Sequence, residues 1–371
     1  MKTPITFLMT VAGCMLSFLT LNAAVLTVSN NPQIPAQYSD AQLAYNAAVD
    51  GDVLYLHGSA VSYTLYMGWQ SDNVGGTVTS KKVKVVGPGF NPTGQNNLRA
   101  IINLLIFPSS ETSMDNISIE GIEISQVIIY NADWNSIGNF AVNNLQFTRC
   151  LISGSGVYYN YNPVTQDLIP SVIFIQSFLQ STLPSQGATV LNCIVKSLNV
   201  SNAYIKNCTF FQPFNSCSNN SPSFSGSVIE NCIFKSRTPD CYPEGIAFNS
   251  ASNVYNNCLF DFVQAGFGNG DAYNNCLFAT ATNLTDETFT DVSTIPLFMN
   301  EIDLRPAAGS AALTAGPGST VIGITGGTFP FTNPKLQSRT TLPQMNTLSI
   351  GSTSVQQNGS ISISFQAAKQ D

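Results

Sequence analysis

Three charged residues share one position relative to a repeated cysteine. Lys196, Lys235 and Asp261 each fall three residues after one, at Cys193, Cys232 and Cys258. If those cysteines stack, the three side chains leave the same face in phase, and a base beside a carboxylate is the pairing that proton abstraction uses. The plainer reading is that they are solvated charges at the edge of a ladder. The other basic residues of the region are Arg149, Lys206 and Arg237, and Asp261 and Asp271 are candidates for a hydrolytic carboxylate pair. Asp115, Glu120 and Glu123 are further acids, but strand alternation sets Glu120 and Glu123 in opposite phase, so they diverge unless the chain bends between them. Tyr158, Tyr159 and Tyr161, with Trp69 and Trp134, offer flat faces for sugar rings, or pack under loops. His57 is the single histidine, which excludes most zinc sites and weakens a serine triad, so no metal centre is expected.

What must position these residues is a short phrase: apolar, two mostly polar residues ending in Asn, then Cys, any residue, and Phe or Val. It runs Val190 to Val195, Ile205 to Phe210, Ile229 to Phe234, Tyr255 to Phe260 and Tyr273 to Phe278, with a degenerate copy from Phe147 to Ile152. The Cys-to-Cys spacings from Cys193 onward are 15, 24, 26 and 18 residues, which suits a solenoid whose coils share a strand but differ in their loops. Alternation puts Cys and the residue two further on upon one inward face. Asn before Cys marks a bend, because Asn tolerates the left-handed backbone region.

Composition agrees. Only 9% of residues are charged, far below the quarter or so of an average globular chain; stacked uncharged polar rows avoid like-charge repulsion. A formal net charge of −7 without any run of Lys or Arg argues against nucleic acid as a partner.

The first residues read as an export signal over 1–24: Lys2, an apolar run from Ile5 to Leu21, then Asn22-Ala23-Ala24. Val11-Ala12-Gly13-Cys14 has the form of a lipoprotein box, but the chain stays apolar after Cys14, which makes anchoring there the lesser alternative. No second stretch is long and apolar enough to span a membrane. Six of the eight cysteines beyond the signal sit in the ladder, where a thiol behaves as a small buried hydrophobe. Cys217 and Cys241 each lie nine residues past a ladder Cys, and that equal offset predicts a disulfide between them.

Ser39-Asp40-Ala41-Gln42 opens a short helix that ends at Asp50-Gly51-Asp52. A strand, Val53 to Gly58, and the turn Gly87-Pro88-Gly89 follow. Near the end come Asp303-Leu304-Arg305-Pro306, Gly309 to Gly316 and Ile322-Gly323-Ile324-Thr325-Gly326-Gly327. With the Asn-Cys phrase, these resemble the opening, turn and closing signatures of secreted bacterial right-handed parallel β-helix proteins of the pectate-lyase-like superfamily. Ala311, Thr314 and Val321 stand where that closing signature usually has Pro, Asp and Asp. The resemblance covers about residues 25 to 331 and leaves out the catalytic machinery. It implies an all-β, right-handed parallel β-helix over 25–335, with an N-terminal capping helix and on the order of a dozen coils at roughly 4.8 Å each. Residues 336–371 form a tail in which Asn358-Gly359, between alternating apolar positions, predicts a hairpin.

One oddity concerns the residue after each ladder Cys: Leu151, Ile194, Thr209, Ile233, Leu259 and Leu277 should point outward, yet five of the six are aliphatic. A bare stripe of that kind signals a cover, and the hairpin from Leu348 to Phe365, or a long loop, is the expected one. For function, the residues point first to an exported, non-catalytic β-helix at the cell surface, with a carbohydrate-associated or adhesive role and a glycan as partner. No cofactor is expected. The alternative is a polysaccharide lyase or glycoside hydrolase acting on acidic polysaccharide, and calcium enters only there, since a lyase must neutralise a uronate carboxylate.

Overall fold

The computed structural model describes residues 23–67, 70–71, 76–77, 81–89, 98–108, 116–130, 144–153, 157–158, 169–180, 185–211, 223–235, 249–260, 270–278, 306, 310–331, 344–350 and 363–368. Its strands stack into three parallel sheets of eleven, twelve and five strands, with successive coils as neighbours. Each coil of the repeat region crosses the first sheet, bends, and crosses the second. Val190 therefore pairs with Ile205, Ile205 with Ile229, Ile229 with Tyr255 and Tyr255 with Tyr273. This is the solenoid that the repeat predicts and the right-handed parallel β-helix that the resemblance implies.

The bends follow the sequence closely. Asn192, Asn207, Asn231, Asn257 and Asn275 all take positive φ between 50° and 54°, and Arg149 and Gln176 occupy the same place at 54° and 47°. A second bend, before the first sheet, uses Ser171, Gly187, Asn202, Gly226, Ser252 and Gly270, all at positive φ. Gln176 reveals a coil that the Asn-Cys phrase does not mark: Phe174-Ile175-Gln176-Ser177-Phe178-Leu179 lies between the coils of Cys150 and Cys193, with Ser177 in the cysteine column.

Each bend raises a question of hydrogen bonding, because a buried backbone N–H without an acceptor is costly. The next coil's side chain supplies the acceptor. The N–H of Cys150 donates to Ser177 Oγ (3.1 Å), that of Cys193 to Cys208 Sγ (3.4 Å) and that of Cys208 to Cys232 Sγ (3.3 Å). Each thiol donates back to the carbonyl two residues before it, as Cys193 does to Leu191 at 3.3 Å. The ladder cysteines are thus more than small hydrophobes. The second bend works alike: Ala203 N–H donates to Ser227 Oγ, Ser227 N–H to Asn253 Oδ1, and Asn253 N–H to Asp271 Oδ1. Beyond the cysteines, Phe210, Phe234 and Phe260 stack at 4.5 and 4.6 Å between centroids, each pair adding about 0.5–1.5 kcal/mol beyond area burial.

The aliphatic stripe is covered, but by a different segment from the one anticipated. Residues 310–331 fold back as a strap over the second sheet, and Ala312, Ile322, Ile324 and Phe331 pack on Leu151, Phe178, Ile194, Ile233 and Leu259. Thr209, the one polar member of the stripe, is fully buried and its hydroxyl accepts the Ile324 N–H at 3.3 Å. The strap reaches furthest toward the bends, where Gly323 N–H donates to Asn231 O (2.8 Å) and Asn192 Nδ2 donates to Ile324 O and Gly326 O. Gly323 and Gly327 are required here: both have positive φ, and a Cβ on Gly327 would fall against Asn207 Nδ2. The tail does pair with itself, Gln344–Ile350 antiparallel to Ile363–Ala368. With Leu348 opposite Phe365 and Ile350 opposite Ile363, that pairing centres two residues before Asn358-Gly359.

At the other end the helix Ala41–Ala47, N-capped by Asp40, buries Ala41, Ala44 and Tyr45 against the first strands. The last described coil is less enclosed than those before it. Cys276 is partly exposed whereas Cys150, Cys193, Cys208, Cys232 and Cys258 are buried, and Leu277 is 43% exposed where Leu259 is fully buried. A column of six buried thiols is therefore corrected to five buried and one half-open, because no further coil among the described strands stacks on Cys276.

Candidate functional site

The strap occupies the outside of the second sheet, and among the described residues the outer face of the first sheet is the long surface left uncovered. Its outward rows are fixed by register: Tyr204, Val228, Val254 and Ala272 in one, Lys206, Glu230, Asn256 and Asn274 in the other. Parallel stacking brings consecutive members to neighbouring positions, and they connect. Tyr204 donates its hydroxyl hydrogen to Glu230 Oε2 at 2.9 Å, Lys206 Nζ lies 3.2 Å from the same oxygen, and Asn274 Nδ2 donates to Asn256 Oδ1 at 2.9 Å. Lys206 Nζ also lies 5.9 Å from the centroid of the Tyr204 ring. The strip is open: Tyr204 and Val228 are each 37% exposed.

Its electrostatics suit binding better than proton transfer. Burial raises the Tyr204 phenol above its ordinary range, with the Glu230 carboxylate acting in the same direction, so the hydroxyl stays protonated and donates. Glu230 is lowered on balance: desolvation pushes it up, but hydrogen bonds from Tyr204, Lys206 and Asn256 outweigh that. Lys206 is raised, first by its hydrogen bond with Tyr204 and then by Glu230. A general base at neutral pH needs a pKa near the working pH, and all three groups are displaced away from it. Glu230 is also the strip's single carboxylate among the described residues, so it lacks the second acid that glycoside hydrolysis uses.

A second cluster of charge lies earlier on the helix. Glu120, almost wholly buried, holds Lys84 Nζ at 2.6 Å and an Arg149 guanidinium nitrogen at 3.0 Å. Glu123 holds Arg99 at 2.7 Å and accepts from Ser153 Oγ at 3.2 Å. Gly121, at positive φ, separates the two acids, and each turns to a different cation. Neither carboxylate is left open for catalysis, and we read both groups as bracing the early coils.

Of the residues singled out from the sequence, Lys196 is half-exposed just past Val195, and its N–H donates to Leu179 O. Lys235 ends the strand Ile233–Lys235 opposite Phe211, in the row that continues from Lys196. Tyr158 ends the strand Val157–Tyr158 opposite Ile128. Tyr159, Tyr161, Asp261, Trp69, Trp134, Asp115, Arg237 and the pair Cys217 and Cys241 lie outside the described residues. His57 sits edge-on to Tyr55 at 4.8 Å, and burial lowers its pKa below the ordinary imidazole value. Among the described residues, no three of His, Cys, Asp and Glu gather to hold a metal, and no helix is long and apolar enough to cross a membrane. Sequence reasoning named Lys206 but missed its partners. The signal was available in the residue before each bend Asn, which reads Lys206, Glu230, Asn256 and Asn274 in four successive phrases.

No protein-family model matches the chain, and no curated protein matches it. Among solved structures, the pectin methylesterase from Aspergillus niger aligns with 13% identity over 73% of this chain and 90% of that one, at a TM-score of 0.29. At that score the likeness carries no argument. The assignment to the parallel β-helix class rests on the chain's own sheets.

Proposed function

We propose that the protein is an exported, non-catalytic β-helix that binds a glycan along the outer face of its first sheet. The observation that carries this reading is the in-register strip Tyr204, Lys206, Glu230, Asn256 and Asn274, where one aromatic face and a row of donors and acceptors repeat along the helix axis. Polysaccharides present hydroxyls at comparable intervals, and aromatic faces pair with the apolar faces of sugar rings. Glu230 cancels the charge of Lys206, which favours neutral or weakly charged chains over strongly anionic ones. The apolar leader from Ile5 to Leu21 supports export. Tyr158, Tyr159 and Tyr161 remain candidates for a second aromatic contact, and Lys196, Lys235 and Asp261 for a polar one.

Affinity electrophoresis of the mature protein against a panel of neutral and uronate-containing polysaccharides tests the proposal. Retardation by one neutral polymer, weakened roughly tenfold in Tyr204→Ala as the loss of one aromatic contact worth about 1.4 kcal/mol requires, is the expected result. Equal retardation of both proteins, or none by any polymer, overturns it. Release of unsaturated products from a uronate polymer would favour the lyase alternative instead.

A further inference from the structure

The first strand starts beside a buried carboxylate that has no countercharge. Asp52 is 4% exposed; its Oδ1 accepts the Ala24 N–H and its Oδ2 the Val49 N–H, both at 2.8 Å. No described ion pair includes it. A buried carboxylate is normally paired with a cation, and two amide donors fill only part of its accepting capacity. Ala24 is held a second time, because its carbonyl accepts the Val53 N–H at 2.8 Å. That bond extends the register in which Val25 to Val28 pair with Val53 to Leu56. Ala23 and Ala24 are themselves exposed. The nitrogen that reaches Asp52 is the nitrogen of the Ala23–Ala24 peptide bond.

The export reading, on which this inference rests, leaves two bonds at the end of the leader, Ala23–Ala24 and Ala24–Val25. The structure tells them apart. Hydrolysis of the first breaks the C–N bond with one water: the hydroxyl joins the Ala23 carbonyl carbon and a proton goes to the Ala24 nitrogen. An α-amino group has an ordinary pKa of about 8, so at neutral pH that nitrogen is mostly an ammonium, already beside Asp52. Its hydrogen bond to the carboxylate is then charge-assisted and stronger than the amide's. Because Ala24 is exposed, the ammonium keeps water on its other protons, and the desolvation that makes buried ion pairs costly falls on one partner alone. Hydrolysis of the second bond discards Ala24, and with it the partners of Asp52 Oδ1 and of the Val53 N–H. We propose that the leader is cleaved between Ala23 and Ala24 and that the new α-ammonium pairs with Asp52, so that processing itself completes the first coil.

N-terminal sequencing of the exported chain is the first test, and Ala24 is the expected first residue. Val25 or a lipid-modified Cys14 in that place overturns the proposal and leaves export standing, whereas a retained leader overturns both. The pair itself is tested on the full chain beginning at Ala24, against its Nα-acetylated form. The free amine should raise Tm by about 2–4 °C, and the increment should vanish in Asp52→Asn. Equal melting of the two forms overturns the pair, and so does an increment that persists in Asp52→Asn. Acylation of the Ala24 amine needs no substitution and decides the matter even if Asp52→Asn does not fold. It should run about tenfold slower in the native chain than in urea, as one pKa unit of ion pairing requires; equal rates overturn the pair. No arm involves a glycan, so the binding proposal stands or falls separately.

Discussion

Ile322 is where the strap's contribution is most directly measured. Its side chain is fully buried between the strap and the aliphatic stripe of Ile194, Ile233 and Leu259. Replacing it by alanine removes three carbons from a packed apolar contact, and large-to-small changes of this kind cost about 2–5 kcal/mol. The strap is an edge element that can relax, so the lower half of that range, about 2–3 kcal/mol, is the expectation. The loss should also be local. Ile322, Ile324, Phe331 and Ala312 are the strap's apolar anchors, and each fully buried side chain of that size contributes about 1.5–3 kcal/mol. Losing most of one anchor should let the strap lift while the coils persist. Urea unfolding gives the free-energy change, and binding of a hydrophobic dye without denaturant reports the exposed stripe. Ile205→Ala is the control, because Ile205 is equally buried but faces the interior. It should lower stability without raising dye binding, whereas Ile322→Ala should do both. An Ile322→Ala protein within 0.5 kcal/mol of wild type, the range of neutral surface changes, and silent to the dye would refute the covering role.

Two further outcomes follow from the ladder and the strip. With thiol reagent on the native protein and peptide mapping, Cys276 should react first and Cys150, Cys193, Cys208, Cys232 and Cys258 only on unfolding; burial pushes the Cys150 thiol up to about 12 and raises Cys193 and Cys232 as well. Hydrogen bonds from neighbouring thiols act the other way at Cys208 and Cys258, but the apolar column offers no countercharge, so burial prevails there too; rapid labelling of any of the five would sink this. Because the folded pKa of Glu230 is depressed, its contribution is present above the unfolded value of about 4.3 and lost as pH falls through the folded one. Acid titration of stability should therefore be slightly flatter in Glu230→Gln, and identical curves would count against the Tyr204–Lys206–Glu230 contact.

The fold was legible because a solenoid writes its geometry into a short repeat. Asn at the bend, Cys after it and Phe two further on each answer a local demand: positive φ, a small side chain in the turn, and a stackable ring. The coil of Gln176 and Ser177 escaped notice because the demands are physical, not tied to one residue type. Ser meets the Cys requirement through Oγ, which takes the Cys150 N–H and donates to Ile175 O at 2.9 Å. The covering of the stripe could be foreseen, since bare aliphatic rows are unstable in water. Which segment covers it could not, because the docking of Ile322 and Ile324 depends on contacts more than sixty residues away in sequence. The strip around Tyr204 was hidden for a related reason: its members are 18 to 26 residues apart in sequence and meet only through register.

The three outer faces of the helix are not equivalent, and the difference bears on where function can sit. On the second sheet the outward row from Leu151 to Leu259 is apolar except for Thr209 and is buried under the strap. Any ligand there would have to displace a segment held by four apolar side chains and several hydrogen bonds. The third sheet has five described strands, and Asn199, Ser225 and Ala251, all small, are exposed on it. They offer hydrogen bonds but no broad surface on which a sugar ring could rest. The first sheet runs the full length of the described helix and combines an exposed ring at Tyr204 with the amide pair Asn256 and Asn274. The strap's low charge and tight glycine turns belong to a structural clamp. Lys206 and Glu230, both partly exposed, contact Tyr204 and hold its ring in place. Under the proposed reading, the Lys206–Glu230 pair orients the Tyr204 ring toward an uncharged, hydroxyl-rich ligand, which would account for all three side chains at once.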